Sequence, residues 1–299
     1  MTPPPLKLRD QNAVITGASL GLGRAIAAEC LAQGASLVLC ARDPAGLEEA
    51  AAELRAEAAE DQRVIAVPCD VSFEDEVARL AETAFAELGE IDILINNAGI
   101  VGPIGAAEEA DLVAWIRTIE INLLGTFLPC RAFIPHFKQK HHGKIVIVSG
   151  GGATHPMPNF SAYAASKAAV VRLAETLAEE LAPFGVQVNA IAPGALKTRM
   201  MDEALAAGPE RAGRAYHAKL EKWAQGDATP LELAARLAVH LASRDSGSIT
   251  GKLISAVWDP WEDGTLEEVA NDLCTTDIYT LRRITPRDRD RDWDPRANL

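Results

Sequence analysis

The chain has 299 residues, of which 48% are hydrophobic and 24% charged, and its formal net charge is −13. This length suits one large α/β domain or two small ones, and the composition is that of an ordinary globular chain rather than a disordered one. The acidic balance argues against a nucleic-acid binder, which needs a basic face. No uninterrupted apolar stretch reaches the roughly 18 residues of a bilayer span, and the first ten residues lack a signal peptide's apolar core. The expectation is a cytoplasmic protein without a membrane partner.

In chain order, strand-like runs alternate with helix-like runs throughout. The strands are expected at 12–16 (NAVIT), 36–40 (SLVLC), 63–68 (RVIAVP), 91–96 (IDILIN), 144–149 (KIVIVS), 186–192 (VQVNAIA) and 252–257 (KLISAV). Between them, runs rich in Ala, Leu and Glu predict helices at 21–33, 44–60, 74–88, 112–138, 161–182 and 230–243. Pro129 and Pro135 are expected to bend or break the fourth helix. Parallel neighbours need crossovers, so seven strands spaced by helices predict a doubly wound, Rossmann-type α/β fold: a seven-stranded parallel sheet with helices on both faces.

The alternation supports a single catalytic domain over 1–257, with short helices at 199–229 forming a lid over the substrate. A C-terminal extension follows at 258–299. It carries an alternating Arg-Asp run at 287–292, which reads as a solvated end. The five cysteines, at 30, 40, 69, 130 and 274, are far apart and have neither CxxC nor Cys/His zinc spacing. They read as buried thiols, with no metal site.

The first strand runs through Thr16 into Gly17, Ala18, Ser19, Leu20, Gly21, Leu22 and Gly23 and then into a helix. Glycines at 17, 21 and 23 allow a tight turn and close backbone approach to a pyrophosphate on the positive helix end. At the end of the second strand, where an acid would accept a ribose 2′-hydroxyl, stands Arg42. Its cationic fork suits a 2′-phosphate and favours NADP over NAD, although Asp43 follows directly. Further on, Tyr163 and Lys167 lie four residues apart near a helix start, on one face, where a cation beside a phenol can help it exchange protons at neutral pH.

Together these motifs resemble the short-chain dehydrogenase/reductase family in its shorter, non-extended branch. TGASLGLG fits the family's TGxxxGxG loop, Asn96-Asn97-Ala98-Gly99 its NNAG element, and Tyr163 to Lys167 its YxxxK element. Pro193-Gly194 to Thr198 fits PGxxxT, and Asp70-Val71 fits the pair that contacts adenine. The match is ordered and spaced over about residues 8 to 257. It implies hydride transfer between a nicotinamide cofactor and a secondary alcohol or ketone; the substrate class expected here is a polar, carbohydrate-like small molecule.

In that family's scheme Tyr163 exchanges the proton with the substrate oxygen, while Lys167 holds the nicotinamide ribose and lowers the phenol pKa. Asn122 anchors a water in the proton relay, Thr198 holds the carboxamide, and Asn96 and Asn97 brace the sheet beside the cofactor. A homo-oligomer, dimer or tetramer, is implied through the helices of Asn122 and Tyr163. Two other readings share the architecture: an epimerase or dehydratase with a recycled cofactor, and a non-catalytic NAD(P)-binding regulatory protein.

One position departs from the pattern. The family's catalytic serine, thirteen residues before the tyrosine, is here Gly150, and the nearest serine is Ser149, one residue early. Either Ser149 turns inward on the flanking glycines, or the substrate's own hydroxyl, a water, or another loop side chain such as His155 or Ser161 takes its place. In the extension, Trp258 and Trp261 are candidates for stacking on a substrate ring, and Arg282 with Arg283 for gripping an anionic group. The alternative is a tail that packs on its own or a neighbouring subunit.

Overall fold

The central strands are short runs of β-branched and aliphatic residues buried on both faces, as a sheet sandwiched between helices requires. In the computed structural model, which describes residues 6–289, β1 (Asn12–Thr16) leads to α1 (Gly21–Ala32), β2 (Ser36–Ala41), α2 (Pro44–Glu57), β3 (Val64–Pro68), α3 (Glu74–Leu88) and β4 (Ile93–Asn96). The second half runs α4 (Leu112–Ile119), α5 (Gly125–Lys140), β5 (Gly143–Val148), α6 (Ser161–Leu181) and β6 (Val186–Ala192). Then come the short helices α7 (Arg199–Ala206), α8 (Gly208–Ala212) and α9 (Arg214–Lys222), followed by α10 (Leu231–Ala242) and β7 (Leu253–Ser255). Two short tail helices, α11 (Thr265–Glu268) and α12 (Ala270–Thr275), close the list. Of the Arg-Asp run at 287–292, residues 290–292 lie outside the described residues.

All seven strands are parallel, in the order β3-β2-β1-β4-β5-β6-β7. The order reverses between β1 and β4, so the loops at their carboxyl ends splay apart and leave the crevice in which such sheets bind ligands. One apolar layer packs α1, α2 and α10 on the sheet, and a second packs α3, α5 and α6 on the other face.

The fourth helix breaks at neither proline. A widened, π-type turn at Glu120–Leu124 separates α4 from α5, and α5 continues through Pro129 and Pro135. The carbonyl that Pro129 leaves without its helical partner belongs to Gly125, at the junction where the bonding register already changes, and Pro135 lies on the solvent side. The whole run 112–140 has the length and hydropathy of a bilayer span, yet it packs Asn122, Leu128, Cys130, Phe133 and Phe137 into the α/β body.

The first part of the tail packs on the body, while Asp288 and Arg289 of the charged run are exposed. Trp261, Leu266, Ala270 and Leu273 are buried in the layer that holds α1 and α10. Of the cysteines, four are buried, but Cys274 is exposed in α12, so the expectation of five buried thiols fails there. Among the described residues no cluster of three or more His, Cys, Asp or Glu side chains could hold a metal.

Candidate active site

Many of the residues singled out in the sequence, including the glycine turn, Arg42, Tyr163, Lys167 and Thr198, converge on one cleft of about 1460 Å³ at the carboxyl ends of the strands. Its inner end is the glycine turn. Gly17 has φ +66°, and a Cβ there would lie 2.8 Å from Ala98 Cα; a Cβ on Gly23 would lie 2.2 Å from the Gly17 carbonyl oxygen. Both positions therefore require glycine. Asn97 ties the turn to β4: its Nδ2 donates to the Thr16 and Gly17 carbonyls at 3.0 and 3.1 Å, and its backbone N–H donates to Thr16 Oγ1 at 3.0 Å. Asn96 points elsewhere, its Nδ2 donating to Cys130 Sγ at 3.3 Å within the core.

Helix α1 has no side-chain cap and no acid in its first turn, so its free N–H groups and positive dipole end face the cleft. Ser19, Leu20, Gly21 and Leu22 line the same end. Arg42 also lines the cleft, and among the described residues no carboxylate lies within ion-pair distance of it. Asp43 does not oppose it directly, because its carboxylate accepts from the Ala45 and Gly46 N–H groups and caps α2. The cradle of glycines, bare helix end and unpaired guanidinium fits a nicotinamide dinucleotide.

Asp70 departs from expectation. Val71 and Cys69 line the cleft, but the Asp70 carboxylate turns to Ser72 and Arg117. Burial would raise its pKa, yet the hydrogen bonds from Ser72 and the Arg117 and Arg42 charges outweigh that and hold it below the usual range.

At the floor, Tyr163 and Lys167 share one face of α6, with Lys167 Nζ 5.8 Å from the phenol ring centroid. The ammonium donates to the Val148 carbonyl at 2.8 Å, and burial pulls its pKa down to about 8. The phenol does not follow the expected lowering: burial, with a smaller contribution from Tyr216, pushes it up to about 12. Asn122 sits behind the wall, in the widened turn. Its Oδ1 accepts from Ile100 N at 2.8 Å, and its Nδ2 donates to Ile100 O and Ser166 Oγ, both at 2.9 Å. It thus clamps the chain after Gly99 to α6. Gly99, Pro193, Gly194 and Thr198 line the cleft, Thr198 standing at the start of α7 beside Gly21.

Ser149 borders the cleft, but its hydroxyl is engaged elsewhere. It is 2% exposed, and its Oγ donates to the Lys167 carbonyl at 3.2 Å. At Gly150 a Cβ would lie 2.4 Å from the Tyr163 hydroxyl oxygen, so the phenol occupies the space a serine side chain would enter. His155 lies on the exposed rim with its Nδ1 paired to Thr154 Oγ1 at 2.9 Å, and Ser161 Oγ accepts from Trp115 Nε1.

Trp258 lines the cleft mouth and is 85% exposed. Trp261 is no ring platform: it is 5% exposed, donates to the Ala256 carbonyl and packs on His240. Arg282 is paired with Asp277 and Asp288, which removes it as an anion grip. Sequence alone did not mark the outer wall, where Met157, Phe160, Met200, Met201, Tyr216 and Trp223 form an apolar surface, four of them from the segment 199–223. The Met pair and the aromatic residues of 199–223 were the available signal.

A profile described as short chain dehydrogenase matches residues 11–208. The chain belongs to the short-chain dehydrogenase family. Over 207 residues, 69% of this dehydrogenase and 78% of its relative, it is 40% identical to 3beta-hydroxysteroid dehydrogenase 1 of Eggerthella lenta. It is 34% identical, over 81% of itself and 89% of the relative, to the (5R,7aS)-5-hydroxy-7a-methyl-1-oxo-2,3,5,6,7,7a-hexahydro-1H-indene-carboxyl-CoA reductase of Mycobacterium tuberculosis. Among solved structures, levodione reductase matches with a TM-score of 0.75 at 29% identity, over 83% of this chain and 96% of that one. An NAD+-bound xylitol dehydrogenase matches with a TM-score of 0.77 at 25% identity, over 83% and 98%. The dehydrogenase is thus an oxidoreductase acting on CH–OH groups with a nicotinamide cofactor.

Proposed function

We propose that this dehydrogenase reduces a ketone on an apolar ring framework to the secondary alcohol, using NADPH. The observation that carries the reading is the composition of the cleft: a proton-bearing phenol at the floor, under a wall of methionine and aromatic side chains. That wall would bury a ring system and leave sugar hydroxyls without partners, so it favours an alicyclic substrate over the carbohydrate-like one expected from sequence. Similarity to a hydroxysteroid dehydrogenase and an indene-carboxyl-CoA reductase supports the same class.

The cofactor supplies or accepts the hydride. The glycine turn and the start of α1 hold its pyrophosphate, Arg42 a 2′-phosphate, Thr198 and Gly194 the walls beside its reactive end, and Lys167 its ribose. Tyr163 is the proton donor: with its pKa near 12 it remains a phenol at neutral pH and gives its proton to the substrate oxygen as the alcohol forms. Asn122 is a positioning residue, fixing the chain after Gly99 against the Tyr163 helix. Ser149, bonded to the Lys167 carbonyl, takes no part in polarising the substrate.

The exposed apolar residues Phe73, Leu112, Val113, Ile116 and Phe127 on and beside α4 and α5 support a homo-oligomer through that face. Free buried thiols fit a cytoplasmic location. The test is the absorbance of reduced nicotinamide during turnover of alicyclic ketones and of open-chain sugars, with NADPH and NADH. Turnover of the ketones with NADPH supports the reading, and activity confined to sugars removes it.

A further inference from the structure

The segment after β7 turns back across the open edge of the sheet. Leu253 N donates to the Tyr279 carbonyl at 2.8 Å and Lys252 Nζ to the Thr276 carbonyl at 2.7 Å. Leu281 is held from α6, with its N–H on Glu175 Oε1 at 2.6 Å and its carbonyl on the Arg172 guanidinium. Within this tethered strap Tyr279 has φ +60°, the left-handed region that a side chain with a Cβ rarely adopts. Such a conformation persists only where the surroundings fix it, and it tends to mark a functional constraint.

What the conformation achieves is a placement. Tyr279 and Thr280 come to line the cleft, and the Tyr279 hydroxyl lies beside the carboxylate of Asp259. Asp259 also lines the cleft and is itself fixed, its Oδ2 accepting from Ser255 N at 2.6 Å. Burial raises the Asp259 carboxyl pKa, as for a group drawn partly out of water. Asp259 and Tyr279 thus put a polar pair into a cleft whose outer wall is apolar. The solved neighbours are matched over 96–98% of their own length, yet they cover 83% of this chain, leaving about a sixth of it without a counterpart in them.

We propose that Asp259 and Tyr279 form a hydrogen-bonding subsite for a second oxygen function of the substrate, a ring hydroxyl remote from the reacting carbonyl. The ring hydroxyl donates to the Asp259 carboxylate, which the Tyr279 phenol holds in place by donating to it as well. The preferred substrate class is then a hydroxylated alicyclic ketone rather than a plain one. This rests on the reading of the cleft as a ring-ketone site, so the test reads binding apart from turnover.

Affinity for 2-decalone and for 6-hydroxy-2-decalone is measured by calorimetry on the full chain with saturating NADP+, which has no hydride to give, for the parent protein, Asp259→Asn and Tyr279→Phe; reduction of each ketone is followed separately with NADPH. Both variants keep the shape of the side chain, and thermal unfolding checks that both fold. The expected result is an affinity about tenfold to hundredfold higher for the hydroxylated ketone, the range of a hydrogen bond to a charged group. That preference should fall to within about threefold in Asp259→Asn, and Tyr279→Phe should weaken it in part. Equal affinity of the parent protein for the two ketones, no binding of either, or a preference that survives in both variants overturns the proposal. A preference that is lost in Asp259→Asn while neither ketone is reduced supports the subsite and overturns only the assigned reaction.

Discussion

Placing a serine at position 150 should impair the enzyme. Gly150 has φ −172°, extended backbone open to any residue, so the effect of a side chain there is purely steric. A Cβ would lie 2.4 Å from the Tyr163 hydroxyl oxygen, 3.2 Å from Cζ and 3.4 Å from Cε1. Reaching ordinary contact requires the phenol to withdraw by about 1 Å, and a misplacement of that size costs about 10²-fold in rate, or ~2.7 kcal/mol of barrier. Steady-state kinetics on Gly150→Ser and Gly150→Ala should show the same fall in kcat, with the KM for NADPH and the thermal midpoint little changed. Equality of the two variants matters, because the shared Cβ is then the cause. A Gly150→Ser enzyme faster than the parent, with Gly150→Ala slower, would refute this reasoning and show that the site lacks a hydroxyl rather than needing room.

Other consequences are as direct. Removing the guanidinium in Arg42→Ala should lower kcat/KM for NADPH about tenfold to hundredfold, the range for a charged hydrogen bond, with little change for NADH. Trp261→Ala should lose about 3–5 kcal/mol of stability in denaturant titrations as a core deletion, whereas Trp258→Ala, at the exposed mouth, should stay within about 0.5 kcal/mol. The Lys167 pKa is depressed to about 8, so its ammonium predominates below that pH and is lost above it; kcat/KM for NADPH, which reports the free enzyme, should fall as pH rises through about 8. A profile flat to pH 10 would contradict the buried position of that amine.

The fold was legible wherever the determining interactions are local. Alternating buried strands and amphipathic helices carry their periodicity in the sequence, and the glycine turn at 17–23 announces itself because only glycine tolerates those contacts. Where tertiary contacts decide, the sequence misled. The fourth helix breaks at Asn122 rather than at its prolines, in the turn where the Asn122 amide grips Ile100 in a distant loop. Asp70 follows Arg117, forty-seven residues away, instead of the cleft. Of the two readings of the tail, packing on its own chain holds for 261–273, where Trp261, Leu266 and Leu273 are buried against the body; no local periodicity announces that contact. The phenol pKa was expected low from the neighbouring lysine, yet burial governs both groups and moves them toward their neutral forms.

The central claim is that Tyr163 delivers the proton in this cleft, and turnover by Tyr163→Phe tests it most directly. The variant keeps the ring and removes only the hydroxyl. With NADPH binding held within about twofold of the parent, kcat for ketone reduction should fall about 10²- to 10⁴-fold, the range for general acid catalysis. A Tyr163→Phe enzyme that binds NADPH and reduces the ketone within tenfold of the parent rate would contradict the account.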